Sequence, residues 1–537
     1  MLFTALLACS CDYLDYDETS GYDKEDMFVY FDRAKGMLSN VYSYLPSDFG
    51  SIDGAMRDAA SDDADYVWSV SSIHNFNDGS WSAIATLDEQ WDHFYSGIRA
   101  ANLFLENYQI DFPNIEWNAD YNEQMKQYVN YPYEARFLRA FFHFELAKRY
   151  NNIPLLKRTY TPDEVNEVAP SSFTDVVEFI VSECNAIAPE LPISYASIPG
   201  SETGRITRGA ALALKARVLL YAASKLHNPS GDKEKWLAAA EASNDVIKLA
   251  AETGCYSLAD ETPVNNLTSK ELILECRVGD SNDFERLNFP IGYEGGHSGT
   301  TPTQNLVDAF EIDGEAFDWD NPEHVQNIYD ADRRDPRLFT TVLHNKSVWK
   351  GAVVETFQGG RNAQPLEGAS RTSYYLKKYV KEDVSLTDGR ETKSRHVWVL
   401  FRYAEVLLNY AEALYEYSGN ANYADDEYTL TPLAAVNLIR ARAGVDPLMV
   451  TDFAAQLRNE RRVELAFEDH RFWDIRRWMI GPDTKEIYGI KITGKGSTPK
   501  YERVLIETRV WDDKMYFYPV PNTEMFKNHK LIQNTGW

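Results

Sequence analysis

The sequence is poor in cysteine, short of basic charge and without the short motifs that mark many enzyme classes. Five cysteines occur in 537 residues: Cys9 and Cys11 near the start, and Cys184, Cys255 and Cys276 inside. The odd interior number excludes a complete disulfide framework, and no CxxC pair or Cys/His cluster has zinc-ligand spacing. The three interior thiols are expected to be small core residues. Lys and Arg total 54 against 82 Asp and Glu, a formal net charge of −28. A nucleic-acid binder carries a basic footprint, so no nucleic-acid partner is expected. A polyanionic ligand would need a local basic pocket to overcome the net field.

Catalytic and cofactor motifs are equally sparse. Gly295 to Thr300 (GGHSGT) misses the GxSxG nucleophile elbow by one place, and there is no HExxH, P-loop or GxGxxG fingerprint. EIDGE around Asp313 is too short for a calcium loop. The ten histidines are scattered, and His143, inside a helical pattern, is expected in the core. A glycosidase needs two carboxylates roughly 5 to 9.5 Å apart across a cleft, and no motif nominates such a pair. No enzyme activity, metal or cofactor is expected.

What the chain does have is 44% apolar content with 33 Tyr and 12 Trp, a globular composition rich in flat amphipathic rings. Apolar residues keep helical spacing from Glu25 to Leu45, Leu87 to Tyr108 and Tyr131 to Tyr150, the last ended by Asn151-Asn152 and Pro154. Ser171 or Ser172 can cap a helix running through Cys184. Thr207–Ala223 and Lys233–Ala250 form a helical hairpin. Its small residues Ala213, Ala216, Ala239 and Ala242 suit the close approach of a tetratricopeptide-like unit. Val399–Tyr417 with Pro432–Ala443 makes a second such pair. From about Gly254 to His396 the chain turns Gly-, Asp- and aromatic-rich, with only short β-like or helical pieces. The expected fold is mostly α: degenerate tetratricopeptide-like helical hairpins flanked by a loop-rich insertion with little β structure.

Leu457 to Trp478 (LRNERRVELAFEDHRFWDIRRW) threads Arg458, Arg461, Arg462, Arg471, Arg476 and Arg477 and five acids through apolar residues. So many aromatics do not suit a solvated helix face, and six guanidiniums do not suit a catalytic cluster. The pattern fits a half-buried belt whose planar forks hold carboxylates and carbonyls two bonds at a time. It is read as architecture, not as an active site.

The same stretch resembles the signature of the SusD/RagB family, the outer-membrane nutrient-binding lipoproteins of Bacteroidetes. Asp469 stands where that pattern has glycine and Ile475 where it has leucine. Other segments resemble the family in its order: Ser61-Asp62-Asp63, RYNNIPLL (149–156), PTQNLVDAFE (302–311) with Gly314, RRDPRL (333–338) and SYYLKKYV (373–380). RYAEVLLNYAEAL (402–414), NLIRARAGV (437–445) and the closing YFYPVPNTEMFKNHKLIQNTGW (516–537) continue it.

Residues 1–11 read as a lipoprotein signal ending in a lipobox, followed by an acidic linker, 12–27. The resemblance implies one SusD-like domain over 28–537. Its helical-repeat core would be 28–253 and 397–480, its ligand-binding insertion 254–396 and its closing segment 481–537. Lipidation of Cys11, or of Cys9, would anchor the protein in the outer membrane, facing the exterior. The implied function is capture of an oligo- or polysaccharide and its delivery to a SusC-like TonB-dependent transporter. The alternative is a helical-repeat scaffold or lid on that transporter for a non-glycan nutrient such as peptide. Tyr66, Trp68, Phe76 and Trp81 lie in a loop-like stretch after Ser61-Asp62-Asp63 and are candidate glycan contacts, because aromatic faces stack on sugar rings. The family layout adds Tyr293 and Trp319 from the insertion, with packing beside Phe310 and Phe317 the competing role for Trp319.

Overall fold

A computed structural model describes residues 25–110, 116–259, 266–496 and 499–537. The expected lipidation sites Cys9 and Cys11 lie outside these residues. Helix makes up 42% and strand 12%, and every described sheet has only two strands, so the mostly α reading holds. The main helices are α1 (Phe31–Tyr42), α2 (Trp91–Asn107), α3 (Tyr131–Tyr150), α4 (Phe173–Ile187), α5 (Arg208–Ala223) and α6 (Lys233–Thr253). After the insertion come α7 (Tyr403–Ser418), α8 (Pro432–Ala443), α9 (Phe453–Glu464) and α10 (Arg471–Arg477). Among the described residues no helix is long and apolar enough to cross a membrane.

Local chemistry sets the ends of these helices. Ser172 and Asp175 form a reciprocal capping box at the start of α4, satisfying two N–H groups that the first turn leaves unpaired. Thr207 and Thr431 cap α5 and α8 in the same position. α3 is buried on nearly all sides: Phe137, Phe142 and Phe144 are completely buried, and its charged residues Glu134, Arg139, Glu145 and Arg149 are buried with ionic partners, as expected of a helix wrapped by others. It packs on α2 and α4; α4 packs on α5, α5 on α6, and α6 directly on α7. The insertion is thus looped out of a continuous helical stack.

Two β features depart from the expected pattern. Residues 399–402 do not open the helix that follows: Ser394–Arg402 is a strand, β4, paired antiparallel with β2 (Leu272–Ser281) across the base of the insertion. Its VWVLF core is β-branched and aromatic, and so short an apolar run does not by itself separate strand from buried helix. Glu486–Thr493 (β5) and Lys500–Thr508 (β6) form a hairpin in the closing segment. The shorter strands β1 (Ala64–Tyr66) and β3 (Thr300–Pro302) pair antiparallel and carry the candidate site.

The arginine-rich stretch is a buried ionic frame. Arg461 donates to Asp474 (2.8 Å) and Asn409 (2.7 Å), and Arg477 donates to Asp474 (2.6 Å) and to both carboxylate oxygens of Glu412 (2.6 and 2.7 Å). Arg462 reaches Asp63 (2.6 Å) and Asp62 (2.9 Å), and Arg471 grips Asp62 with two bonds (2.8 and 2.9 Å). The other acids of the stretch take cations from elsewhere. Arg402 spans Glu271, Glu464 and Glu468 at 2.6–2.7 Å. Arg337 holds Asp335, Glu460 and Glu464 at 2.5–2.9 Å. Arg440, Arg442 and Lys378 complete the set. Every family-like segment from residue 333 to 478 therefore supplies at least one charge to one network.

Removing a member strands its partners in the interior, which costs about 3–5 kcal/mol for a buried pair. Arg402→Met is expected to lower the unfolding free energy by at least that much in denaturant titrations. Arg402→Lys should not restore it, since an ammonium lacks the planar fork. A loss under about 1 kcal/mol would show that the frame is dispensable.

Acid should break the frame at Glu412, and a separate buried cluster at Glu145 on α3, which pairs with Lys148 and Arg149 of the same helix, in a defined window. Burial alone raises Glu412 and Glu145, yet Arg477 and Arg461 on one, and Lys148 and Arg149 on the other, outweigh it and lower both to about 2. Their ordinary value is 4.5, so the unfolded chain takes up these protons first. Their contribution is complete above about pH 5 and is lost as pH falls towards 2. The denaturant midpoint should drop steeply across that range; a flat profile would contradict the assignment.

Candidate functional site

The site is built on the strand that follows Ser61-Asp62-Asp63. The Ser61 hydroxyl donates to the Asp58 carbonyl (2.7 Å) and accepts from the Asp63 N–H (3.2 Å), while the two aspartates are locked by Arg462 and Arg471. The motif is structural, and it fixes where β1 begins. β1 runs against β3 with Ala64 opposite Pro302 and Tyr66 opposite Thr300. Val67 N–H then donates to the Gly299 carbonyl (3.1 Å), which delivers Trp68 to the GGHSGT loop.

There Trp68 is held from three sides. Its Nε1–H donates to the His297 carbonyl (2.7 Å), and its ring stacks on the His297 imidazole at 4.5 Å and 17°. Its own carbonyl contacts His74 Nε2 at 3.1 Å. Gly368, at φ +76°, approaches so closely that a Cβ would sit 3.0 Å from Trp68 Cζ2. The indole is half-buried, and Val70, two residues further along the chain, is 91% exposed.

Tyr293 lies on the same loop. Its hydroxyl donates to the Ala352 carbonyl (3.1 Å) and accepts from Arg361 Nη2 (3.2 Å), which also donates to the Val353 carbonyl (2.7 Å). The Arg361 guanidinium sits 5.1 Å above the Tyr293 ring, whose edge meets the buried Trp349 at 5.3 Å. Burial raises the Tyr293 hydroxyl above its ordinary range despite Arg361, and burial lowers His297. Partly exposed aromatic and planar polar groups, Trp68, His297, Tyr293 and Arg361, are thus gathered on or against this one loop, and Val353, whose carbonyl Arg361 holds, is exposed beside Arg361.

The other expected contacts are placed differently. Phe76 and Trp81 are interior residues, 6% and 3% exposed. Phe76 packs on Phe472 (5.6 Å) and Tyr518 (5.8 Å), and Trp81 on Tyr518 (5.4 Å) and Trp537 (4.4 Å). The stretch is not the continuous loop that its composition suggests: Phe76 lies in a short helix, His74–Asp78, and the chain end folds over the rings of Phe76 and Trp81 and leaves no open face. Tyr66 is also buried, inside β1, with its hydroxyl against Gly54. These three readings are corrected to core positions. Trp319 is half-buried but distant along the fold: its N–H bonds Asp308 (3.0 and 3.1 Å) at the far end of the segment that begins with β3, beside Phe317.

His297, Arg361 and Gly368 were not among the expected residues. The glycines around His297 carried a usable signal. A Cβ on Gly296 would lie 2.1 Å from the Pro290 carbonyl oxygen, and one on Gly299 2.2 Å from that of Leu287, so this loop is glycine-rich because it is tightly folded. Arg361 and Gly368 have no comparable local signature. Among the described residues no group of three or more His, Cys, Asp or Glu side chains is arranged to hold a metal.

The family model "SusD family" matches residues 272–537, and the model "Starch-binding associating with outer membrane" matches residues 12–220. The chain is 25% identical over 426 residues to a SusD-like protein P2 of Formosa agariphila, covering 75% of this chain and 72% of that one. A crystal structure of a SusD-like protein from Bacteroides fragilis superposes with a TM-score of 0.78 at 27% identity, covering 96% of this chain and 99% of the other. A SusD-like carbohydrate-binding protein from the same species gives 0.74 at 26% identity, covering 94% and 100%. With family models matching both parts of the chain, and with structural similarity over nearly all of it, the chain belongs to the SusD family, which is described as associated with the outer membrane.

Proposed function

We propose that this protein is a cell-surface glycan-binding lipoprotein, anchored in the outer membrane through Cys11 or Cys9. It captures an oligo- or polysaccharide and hands it to a SusC-like TonB-dependent transporter. The observation that carries this reading is the Trp68 indole. A hydrogen bond, a stacked imidazole and a glycine contact hold it at a partly open face. A ring fixed before the ligand arrives loses little freedom on binding, and its flat face matches the C–H face of a sugar. Arg361 and His297 supply hydrogen-bonding groups beside it. The similarity to a carbohydrate-binding SusD-like protein supports the same ligand class. The helical flank is the proposed transporter side. It carries a concavity of about 440 Å³ between α2 and the chain end, lined by Trp91, Tyr95, Ile98, Leu156 and Tyr160, none of which belongs to the Trp68 face.

Native gels containing laminarin, starch, xylan or polygalacturonate test the ligand reading. Retardation by at least one glycan is expected, weakened about tenfold or more by Trp68→Ala, the effect of losing an aromatic anchor. Gly368→Ala should weaken it too, by displacing the indole. Trp319→Ala should leave it unchanged. A folded protein retarded by no glycan would shift the reading to a lid or scaffold for a peptide or other nutrient.

Trp81→Ala separates core from contact. Emptying that site should cost about 3–5 kcal/mol of stability in denaturant titrations, while half-buried Trp68→Ala should cost far less. The reverse order would overturn the placement of the two rings.

A further inference from the structure

Beneath Trp81 the molecule contains a cavity of about 20 Å³ that the proposed glycan face does not use. It is lined by Trp81, Arg476, Trp511, Asn77, Thr484 and Lys485, among others. Two of its walls present unsatisfied N–H groups: Trp81 Nε1 and Arg476 Nε are buried and meet no acceptor of the protein; Trp511 Nε1 on a third wall is buried too and has only the Tyr516 hydroxyl near it, outside good hydrogen-bond geometry. Trp81 and Arg476 are 3% and 4% exposed. The Trp511 indole is set in place by Gly481, where a Cβ would lie 1.9 Å from its Cε2.

The cavity is also electropositive. Arg476 is the exception in the arginine belt, because it forms no ion pair among the described residues. Its one protein hydrogen bond goes from Nη1 to the Phe472 carbonyl (3.0 Å). Otherwise its guanidinium lies 3.4 Å over the Phe472 ring and 5.3 Å over Trp511. Burial lowers it to about 10, while the charges of Arg57 and Asp88 act on it in opposite directions. Arg509, a second wall, is already satisfied by Glu507 and by the Ser61 and Ala64 carbonyls. Asn77 and Thr484 spend a donor each on backbone carbonyls.

We propose that this cavity is a binding site for a monovalent anion of halide size, with chloride the occupant. Two indole N–H groups beside the Nε–H of one guanidinium without an ionic partner call for an acceptor that needs no acceptor in return, which describes a halide better than a water molecule. The volume corresponds to about one water-sized sphere, too small for sulfate or a carboxylate. The bound ion would neutralise Arg476. It would also tie residues 60–81, which lead into and out of β1, to residues 476–515 of the chain end.

The test is a chloride titration of the purified protein in sodium gluconate at constant ionic strength, read as the thermal midpoint. A second readout is anomalous scattering from crystals grown in bromide. The expected result is a saturable rise of about 2 °C and a bromide peak between Trp81 and Arg476. Trp81→Phe keeps most of the ring and removes one donor, so it should demand about tenfold more chloride for the same rise. Arg476→Met should abolish the rise; if that variant does not fold, the Trp81→Phe comparison decides. The proposal is overturned by a midpoint that ignores chloride, by an identical response in Trp81→Phe, by a saturable rise of equal size with sulfate, or by a cavity without bromide.

Discussion

The grip of Arg402 on Glu271, Glu464 and Glu468 is the constraint on which the rest of this structure depends. None of these groups reaches solvent, so each carries a desolvation cost that only correctly placed partners offset. Those partners come from the base of the insertion, the end of β4 and the turn between α9 and α10. The chain reaches a low energy only when all three are assembled. Arg337, Arg440 and Arg442 extend the requirement to the insertion and to α8. The frame thus specifies one arrangement of the loops, where apolar packing alone would tolerate several.

This frame also explains the form of the candidate site. Asp62 and Asp63 stand just before the strand that ends at Trp68, and their arginines belong to α9 and α10. The indole is therefore referenced to the helical stack through two residues and a short strand. Its orientation is set by rigid elements even though it sits on a loop, as a preorganised contact requires.

The fold was legible in the sequence wherever a periodic pattern had an end signal. α3 and α8 match their expected limits, and α4 starts at the serine cap. The strand at 394–402 was not legible, because a buried strand and a buried helix read alike over so few residues. The arginine belt was legible as architecture, but its partners were not, since they lie as far as 409 positions away, as Asp62 does from Arg471. The same distance defeats any local reading of Trp81: nothing near it announces that residues 516–537 will cover it. Trp68 and Trp81 are alike in sequence context, and only the chain end separates a half-exposed ring from a core ring. His297 was visible as a tightly folded glycine loop, although that loop was noted for the enzyme motif it fails to form.

The direct packing of α6 on α7 has a consequence for how this molecule can vary. The two ends of the insertion are brought together by helices that do not belong to it, and β2 and β4 tie them again at its base. The entropic cost of closing such a loop grows only with the logarithm of its length. Segments between the points that feed the ionic frame can therefore lengthen, shorten or change composition at little expense to the stack beneath. Such a design allows one scaffold to be refitted for many ligands.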